Sequence, residues 1–278
     1  TEIFLYIFYT KNIDFFKNSI GKRTKSIEQI IELPDANGQM KRFSIGETSN
    51  FEPVLQQKFP EIKSFSAQGI DDKTSVAKIS LGTDGFHAVI FSGTQETVYI
   101  DPYTKDNKSY LVYKRSSLSP EDEDFKCMVE ETTSKTQFSP IEFAKTPNDG
   151  KLRTYRLALV CSGEYADFHL SPNQQNIPTT ATDQEKKAAV LSAMNTSMTR
   201  VNGVFEKDLS VKMVLVSNND QLIFLDKNTD GITDGDPDIM IDEVQSKCDN
   251  IIGNANYDIG HIFSVGGDGL AGLGVVCR

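Results

Sequence analysis

The sequence predicts an α/β layer with largely parallel strands over residues 151–278. A β-rich domain precedes it over residues 1–130, with a linker at 131–150 between the two. Three observations carry that reading. Before residue 120, short β-branched or aromatic runs recur between turn signals, the pattern of an antiparallel meander. From residue 131 to Gly150 no period is legible. Beyond Gly150 strand-like and helix-like periods alternate, which implies parallel strands joined through helices. A chain of 278 residues holds about two domains of ordinary size.

The elements follow in order. Ile3 to Tyr9 is apolar but far short of the roughly 20 residues that span a bilayer. It has no basic flank before it and no small-residue cleavage site after it, so it does not read as a signal peptide. Ser75-Val-Ala-Lys-Ile-Ser80, His87-Ala-Val-Ile-Phe91, Thr97-Val-Tyr-Ile100 and Tyr110-Leu-Val-Tyr113 read as strands. Gly82-Thr-Asp-Gly85, Ser92-Gly93, Asp101-Pro102 and Asp106-Asn107 are the turns between them. Ser119 to Asp124 is acidic, and the segments around Pro140 and Pro147 read as linker.

Tyr155-Arg-Leu-Ala-Leu-Val-Cys161 has the pattern of a buried strand. Thr182-Asp-Gln-Glu185 is a capping box, in which each side chain satisfies the other residue's free N–H. Behind it Val190, Met194, Met198, Val201, Val204 and Phe205 repeat near the helical period, so a long amphipathic helix is expected. Leu209, Val211 and Met213 alternate into Val214-Leu-Val216, a second strand. Asp236 reads as an N-cap with Pro237 at the first helical position. Ile241, Val244, Cys248 and Ile251 form one face of that helix, and Gly253 stops it. Ile259-Gly-His-Ile-Phe-Ser264 is the third strand.

The formal net charge of −10 argues against nucleic acid as a partner, because phosphate binding needs clustered Lys and Arg. It argues equally against a polybasic membrane-surface binder. The four cysteines, Cys127, Cys161, Cys248 and Cys277, form no C-x-x-C pair, so no knuckle-type zinc site is legible. Their number fits one or two bridges in a secreted protein, or buried free thiols.

Four constellations invite a chemical reading. Gly267-Asp-Gly269-Leu-Ala-Gly272 fits G-x-G-x-x-G after a strand, a dinucleotide loop if a helix and a ribose-binding acid followed. Neither does, and a Gly-rich edge strand is the better reading. Asp226-Lys-Asn228-Thr-Asp230-Gly231 matches the first half of a calcium loop, and Asp234, Asp236 and Asp238 add carboxylates. Pro237 stands where an EF-hand places its bidentate Glu, so the expectation is a calcium site of another type. The histidines, His87, His169 and His261, are far apart and no H-E-x-x-H occurs; His261, on an apolar strand, reads as a core residue. No G-x-S-x-G is present. Cys161, in a buried strand, is shielded, whereas Cys127 follows the acidic stretch between the halves and could reach a neighbouring site.

Tyr155-Arg-Leu-Ala-Leu-Val-Cys-Ser-Gly-Glu-Tyr165, Ala193-Met-Asn-Thr-Ser-Met-Thr-Arg-Val-Asn-Gly-Val-Phe-Glu206, Cys248 through Phe263, and Gly266-Gly-Asp-Gly-Leu-Ala-Gly-Leu-Gly-Val-Val-Cys277 together resemble the reprolysin-like (adamalysin-type) metzincin proteases of secreted bacterial type. The likeness covers residues from about 150 onward. Phe51-Glu-Pro-Val-Leu, Lys58-Phe-Pro-Glu-Ile-Lys63, Gly85-Phe-His-Ala88 and Tyr99-Ile-Asp-Pro-Tyr103 resemble the propeptide before such a domain.

The resemblance implies a metzincin-like upper subdomain, a mixed twisted sheet with two long helices, and a zinc metalloendopeptidase activity. In that family a helix carrying H-E-x-x-H-x-x-G-x-x-H holds the zinc, and its Glu is the general base toward the metal-bound water. Gly269, Leu270, Ala271, Gly272, Leu273 and Gly274 then correspond to the edge strand that pairs with an extended peptide substrate. Cys127 becomes a latency ligand that fills the fourth zinc position in the precursor. Maturation would cut between Cys127 and Tyr155, with Lys151 and Arg153 as candidate sites. Cys248 with Cys277 is the disulfide this layout favours. The chain opens at Thr1 and stops at Arg278 before any zinc helix, so the expectation is a fragment, inactive alone, whose zinc ligands follow Arg278. Its expected partners are a protein or peptide substrate and its own propeptide, in an extracellular setting. The competing expectation is a non-enzymatic extracellular module stabilised by calcium at Asp226, Asn228, Asp230 and Asp234.

Overall fold

The computed structural model describes residues 29–118, 149–175, 177–266 and 269–272. Seven strands form one antiparallel sheet in sequence order: β1 (Gln29–Pro34), β2 (Met40–Glu47), β3 (Lys63–Gly69), β4 (Val76–Gly82), β5 (Gly85–Phe91), β6 (Val98–Pro102) and β7 (Tyr110–Lys114). Four of these are the runs expected from the sequence; β1 to β3 are not among them. Alternation along the strands sorts the two faces. Phe65 and Ala67, Ala77, Ile79 and Leu81, Phe86, Ala88 and Ile90, then Val98, Ile100, Tyr110 and Val112 fill one apolar core inside the curled sheet. The residues between them, Ser64, Lys78, Ser80, His87, Tyr99, Asp101 and Tyr113, belong to the opposite face.

The C-terminal half is the expected parallel layer. β8 (Arg153–Cys161) lies between β9 (Val211–Leu215) and β10 (Ile259–Phe263), and both pairings are parallel. Two helices fill the first crossover: α2 (Gly163–Leu170), capped by Ser162, and α3 (Asp183–Leu209), opened by the Thr182–Glu185 capping box. α4 (Pro237–Lys247) fills the second, with Asp236 as its N-cap and Pro237 in its first turn. A short helix in the first half, α1 (Pro53–Lys58), also carries Pro in its first turn.

β8 is buried on both sides, so its alternation splits two cores. Leu157, Leu159 and Cys161 pack with Val190, Leu191, Met194 and Met198 of α3. Ala158 and Val160 pack with Met240, Val244, Cys248 and Ile252. That i, i+4 ridge shifts the expected face of α4: Met240 takes the place of Ile241, which is exposed, and Ile252 joins Ile251, which packs half-buried against the same core. Gly253, at φ +87°, ends the turn that extends α4, as expected. Leu209 ends α3 rather than opening β9.

α3 is also covered on its other side. Ser192, Asn195, Thr196, Thr199 and Asn202 are buried, and the helix lies on the polar face of the meander. The order of layers is therefore α4, parallel sheet, α3, meander. Close approach is required at two glycines. A Cβ on Gly203 would stand 2.8 Å from Phe91 Cε2, and one on Gly82 would collide with the Ser192 hydroxyl.

Candidate functional site

The carboxyl ends of parallel strands are where open α/β sheets gather ligands, so β8 and β10 frame the first candidate. Ser162 N donates to Phe263 O at 3.1 Å, tying the two strand ends together. From α2, Tyr165 lies 5.5 Å from the Phe263 ring and 4.3 Å from His169, while His261 meets Phe263 edge-on at 5.8 Å. Burial pushes the His169 imidazole below its ordinary value. His261 is exposed rather than in the core. Among the described residues β10 pairs only with β8, and Val244 of α4 and Cys248 just after it lie against Gly260 of β10. After β10 the chain turns at Ser264, whose hydroxyl bonds to Asp234 Oδ1.

Of the expected substrate strand, Gly269 and Leu270 are half-buried, and Ala271 and Gly272 are exposed. Leu273 and Gly274 lie outside the described residues, as do Cys127 and Cys277 and most of the expected linker. Gly269 makes an isolated bridge, and Leu270 to Gly272 carry no regular structure. Lys151 is exposed, whereas Arg153 is already the first residue of β8, its N–H bonded to Ser210 O at 2.9 Å.

The calcium expectation finds no support among the described residues. Asp230, 2 % exposed, accepts from Gly163 N at 2.8 Å and Ile232 N at 3.0 Å. Asp226 Oδ1 accepts from Asn228 N and Asn228 Nδ2, both at 2.9 Å. Asp234 is engaged by Ser264. The same spacing that lines a calcium loop also suits carboxylates that bond backbone N–H groups in tight turns, and here the turn takes the oxygens. Among the described residues no group of three His, Cys, Asp or Glu side chains is placed to hold a metal ion. The described residues therefore show no zinc site either. Among the described residues Cys161 and Cys248 form no disulfide, and both are fully buried. Burial pushes both above the ordinary thiol value, Cys248 to about 12.

The densest polar cluster lies between the meander and α3, and the sequence reading did not assemble it. His87 Nδ1 is 2.6 Å from Asp101 Oδ1, and Nε2 is 3.2 Å from Asp84 Oδ2, close enough to pair though not aligned as a hydrogen bond. Asp84 accepts from the hydroxyl of Ser192 and from Thr196 Oγ1 (2.8 Å). Asp101 accepts from Tyr113 OH at 2.6 Å and from the Arg200 guanidinium. Arg200 also covers the Tyr99 ring at 5.4 Å. Burial pulls His87 down, but bonds to Asp101 and Asp84 and their charges outweigh it and hold the imidazole at about 9. Burial would raise both carboxyls; His87 and the hydroxyl donors hold Asp84 low, and His87, Arg200 and Tyr113 hold Asp101 at about 2. The signal that could have found this cluster is the pairing of two periods. His87, Tyr99, Asp101 and Tyr113 share one strand face, and Ser192, Thr196 and Arg200 share one helix stripe.

This charged cluster joins elements, and both of its carboxylates are engaged. The strand ends at β8 and β10 offer aromatic surface and the approach to an extended edge. Among the described helices none is long and apolar enough to cross a membrane. No curated protein matches the chain. Residues 191–278, about a third of the chain, match the family model of the reprolysin-like metallo-peptidases of family M12B, a stretch that runs from within α3 through β9, α4 and β10.

Proposed function

We propose that the chain is part of a secreted zinc metalloendopeptidase precursor, with residues 151–278 as the upper part of the peptidase domain and residues 1–130 as its propeptide. The single observation that carries the reading is the family match over residues 191–278. The parallel layer under a capped long helix agrees with it. In this reading Gly269 to Gly274 take an extended peptide along the edge strand, and the zinc ligands come from sequence after Arg278. Cys127 is the latency ligand, and the Cys248–Cys277 bridge belongs to the same proposal. A maturation cut at exposed Lys151 spares the sheet, whereas one at Arg153 would open β8.

The calcium-stabilised module is the weaker reading, since the described residues bring together no three ligands for a metal ion. The test is to express the gene product extended past Arg278 and to follow hydrolysis of an unstructured protein. Hydrolysis that a chelator abolishes and zinc restores, and that a Cys127→Ser variant shows before any maturation cut, is expected. An extended product that carries no zinc motif and cleaves nothing overturns the proposal.

A further inference from the structure

We infer that residues 50–62 are a donor strand and core plug for the parallel layer, so that the N-terminal unit remains as a bound subunit after the chain is cut between Gly150 and Lys151. The backbone supplies the first argument. Leu215 N donates to Asn50 O at 2.8 Å and Glu52 N donates to Leu215 O at 2.9 Å. Phe51 thereby stands in parallel register beside Leu215, and the segment extends the sheet past β9 by strand addition. Without it the outer edge of β9 would present unpaired N–H and C=O groups.

The side chains supply the second. Phe51, Leu55, Phe59 and Ile62 are each at most 4 % exposed, and they share one core with Leu157, Leu159, Met194, Met213 and Leu215. These four belong to the parallel layer's interior, although they arise from the loop between β2 and β3. A polar collar surrounds the plug. Asn50 Nδ2 reaches Thr199 Oγ1 (2.8 Å) and Asn195 Oδ1 (3.1 Å), and Asn202 Nδ2 donates to Asn50 Oδ1 at 3.1 Å. Glu52 Oε2 accepts from Ser217 N at 2.8 Å, and Lys212 Nζ donates to Ser49 O at 2.9 Å. An edge completed by backbone bonds, a buried apolar anchor and a satisfied polar rim are the parts of a stable interface.

The cut site is open to a protease. Gly150 is exposed at φ +66° with free space about it, and Lys151 is exposed. The inference concerns assembly and does not rest on the peptidase reading, so either can fail without the other. A protease recognition sequence is inserted between Gly150 and Lys151 of the full chain. The protein is cut and run on a sizing column with mass detection at micromolar concentration. One species containing both fragments is expected. Two separate species overturn the inference, whatever the state of the C-terminal piece. A second measurement needs no insertion: hydrogen exchange on the uncut chain. The amides of Glu52 and Leu215 are expected to exchange as slowly as those of Leu157 and Leu159. Exchange at the rate of an exposed loop overturns the inference.

Discussion

Raising the pH is expected to loosen the junction between the meander and α3, and His87 is the group that reports it. Its folded pKa is about 9 against 6.5 for the free imidazole. A value raised by folding stabilises fully below the unfolded pKa, and that stabilisation is lost as the pH rises through the folded one. The window therefore runs from 6.5 to about 9. At about 1.4 kcal/mol per unit, the shift corresponds to ~3 kcal/mol at most. Both carboxylates that face the ring stay charged throughout, because Asp84 and Asp101 are held low. The assay is urea unfolding of the wild type and of His87→Gln across that window. The variant keeps a donor and cannot titrate. The wild-type advantage is expected to shrink steadily as the pH rises, with the two profiles converging at the alkaline end. Thiol ionisation in the unfolded chain affects both proteins alike and cancels. A difference between the profiles that does not change with pH would refute the reasoning.

Other outcomes are as definite. Phe51→Ala empties a fully packed position and should cost ~3–5 kcal/mol in urea unfolding; a loss within error of zero would show that the plug is not core. Gly203→Ala places a methyl 2.8 Å from Phe91 Cε2 and should cost ~1–3 kcal/mol, while Gly46→Ala, with nothing within 4 Å, serves as its control. Asp230→Ala leaves the N–H groups of Gly163 and Ile232 without their acceptor and should cost ~1–3 kcal/mol. Millimolar calcium should leave the melting temperature unchanged, and a rise would reinstate a bound ion at Asp226, Asn228, Asp230 and Asp234. Cys161 should resist a thiol reagent in the native protein and react once it is unfolded, a difference that mass mapping of labelled peptides resolves.

Local signals were legible where local physics decides the outcome. The Thr182–Glu185 capping box and the Asp236–Pro237 start are closed within one turn of chain, so sequence alone shows them. The alternating runs of β4 to β7 and the buried pattern of β8 carry their own period. The plug at residues 50–62 escaped because nothing in Phe51-Glu-Pro-Val-Leu says which core it enters; only the edge of β9 decides that. His261 misled because an apolar strand reads as buried, and the reading cannot show that, among the described residues, β10 pairs only with β8. The Asp226 loop is ambiguous for a different reason: its carboxylates satisfy backbone donors in the spacing that would also suit a cation. What covers the polar side of α3 was not legible, since the helical period separates apolar from polar without naming what covers each.

That last feature reaches beyond stability to how the sequence can vary. An ordinary surface helix has a permissive stripe, along which substitutions drift freely. α3 has little of one between Ala188 and Gly203, where an apolar ridge answers to β8 and a polar ridge answers to the meander. A change that suits one neighbour must still be accepted by the other. The two halves of the chain are thereby bound to vary together, with Asn195, Thr196, Thr199 and Arg200 changing only in step with Asn50, Ser64, Asp84 and Asp101.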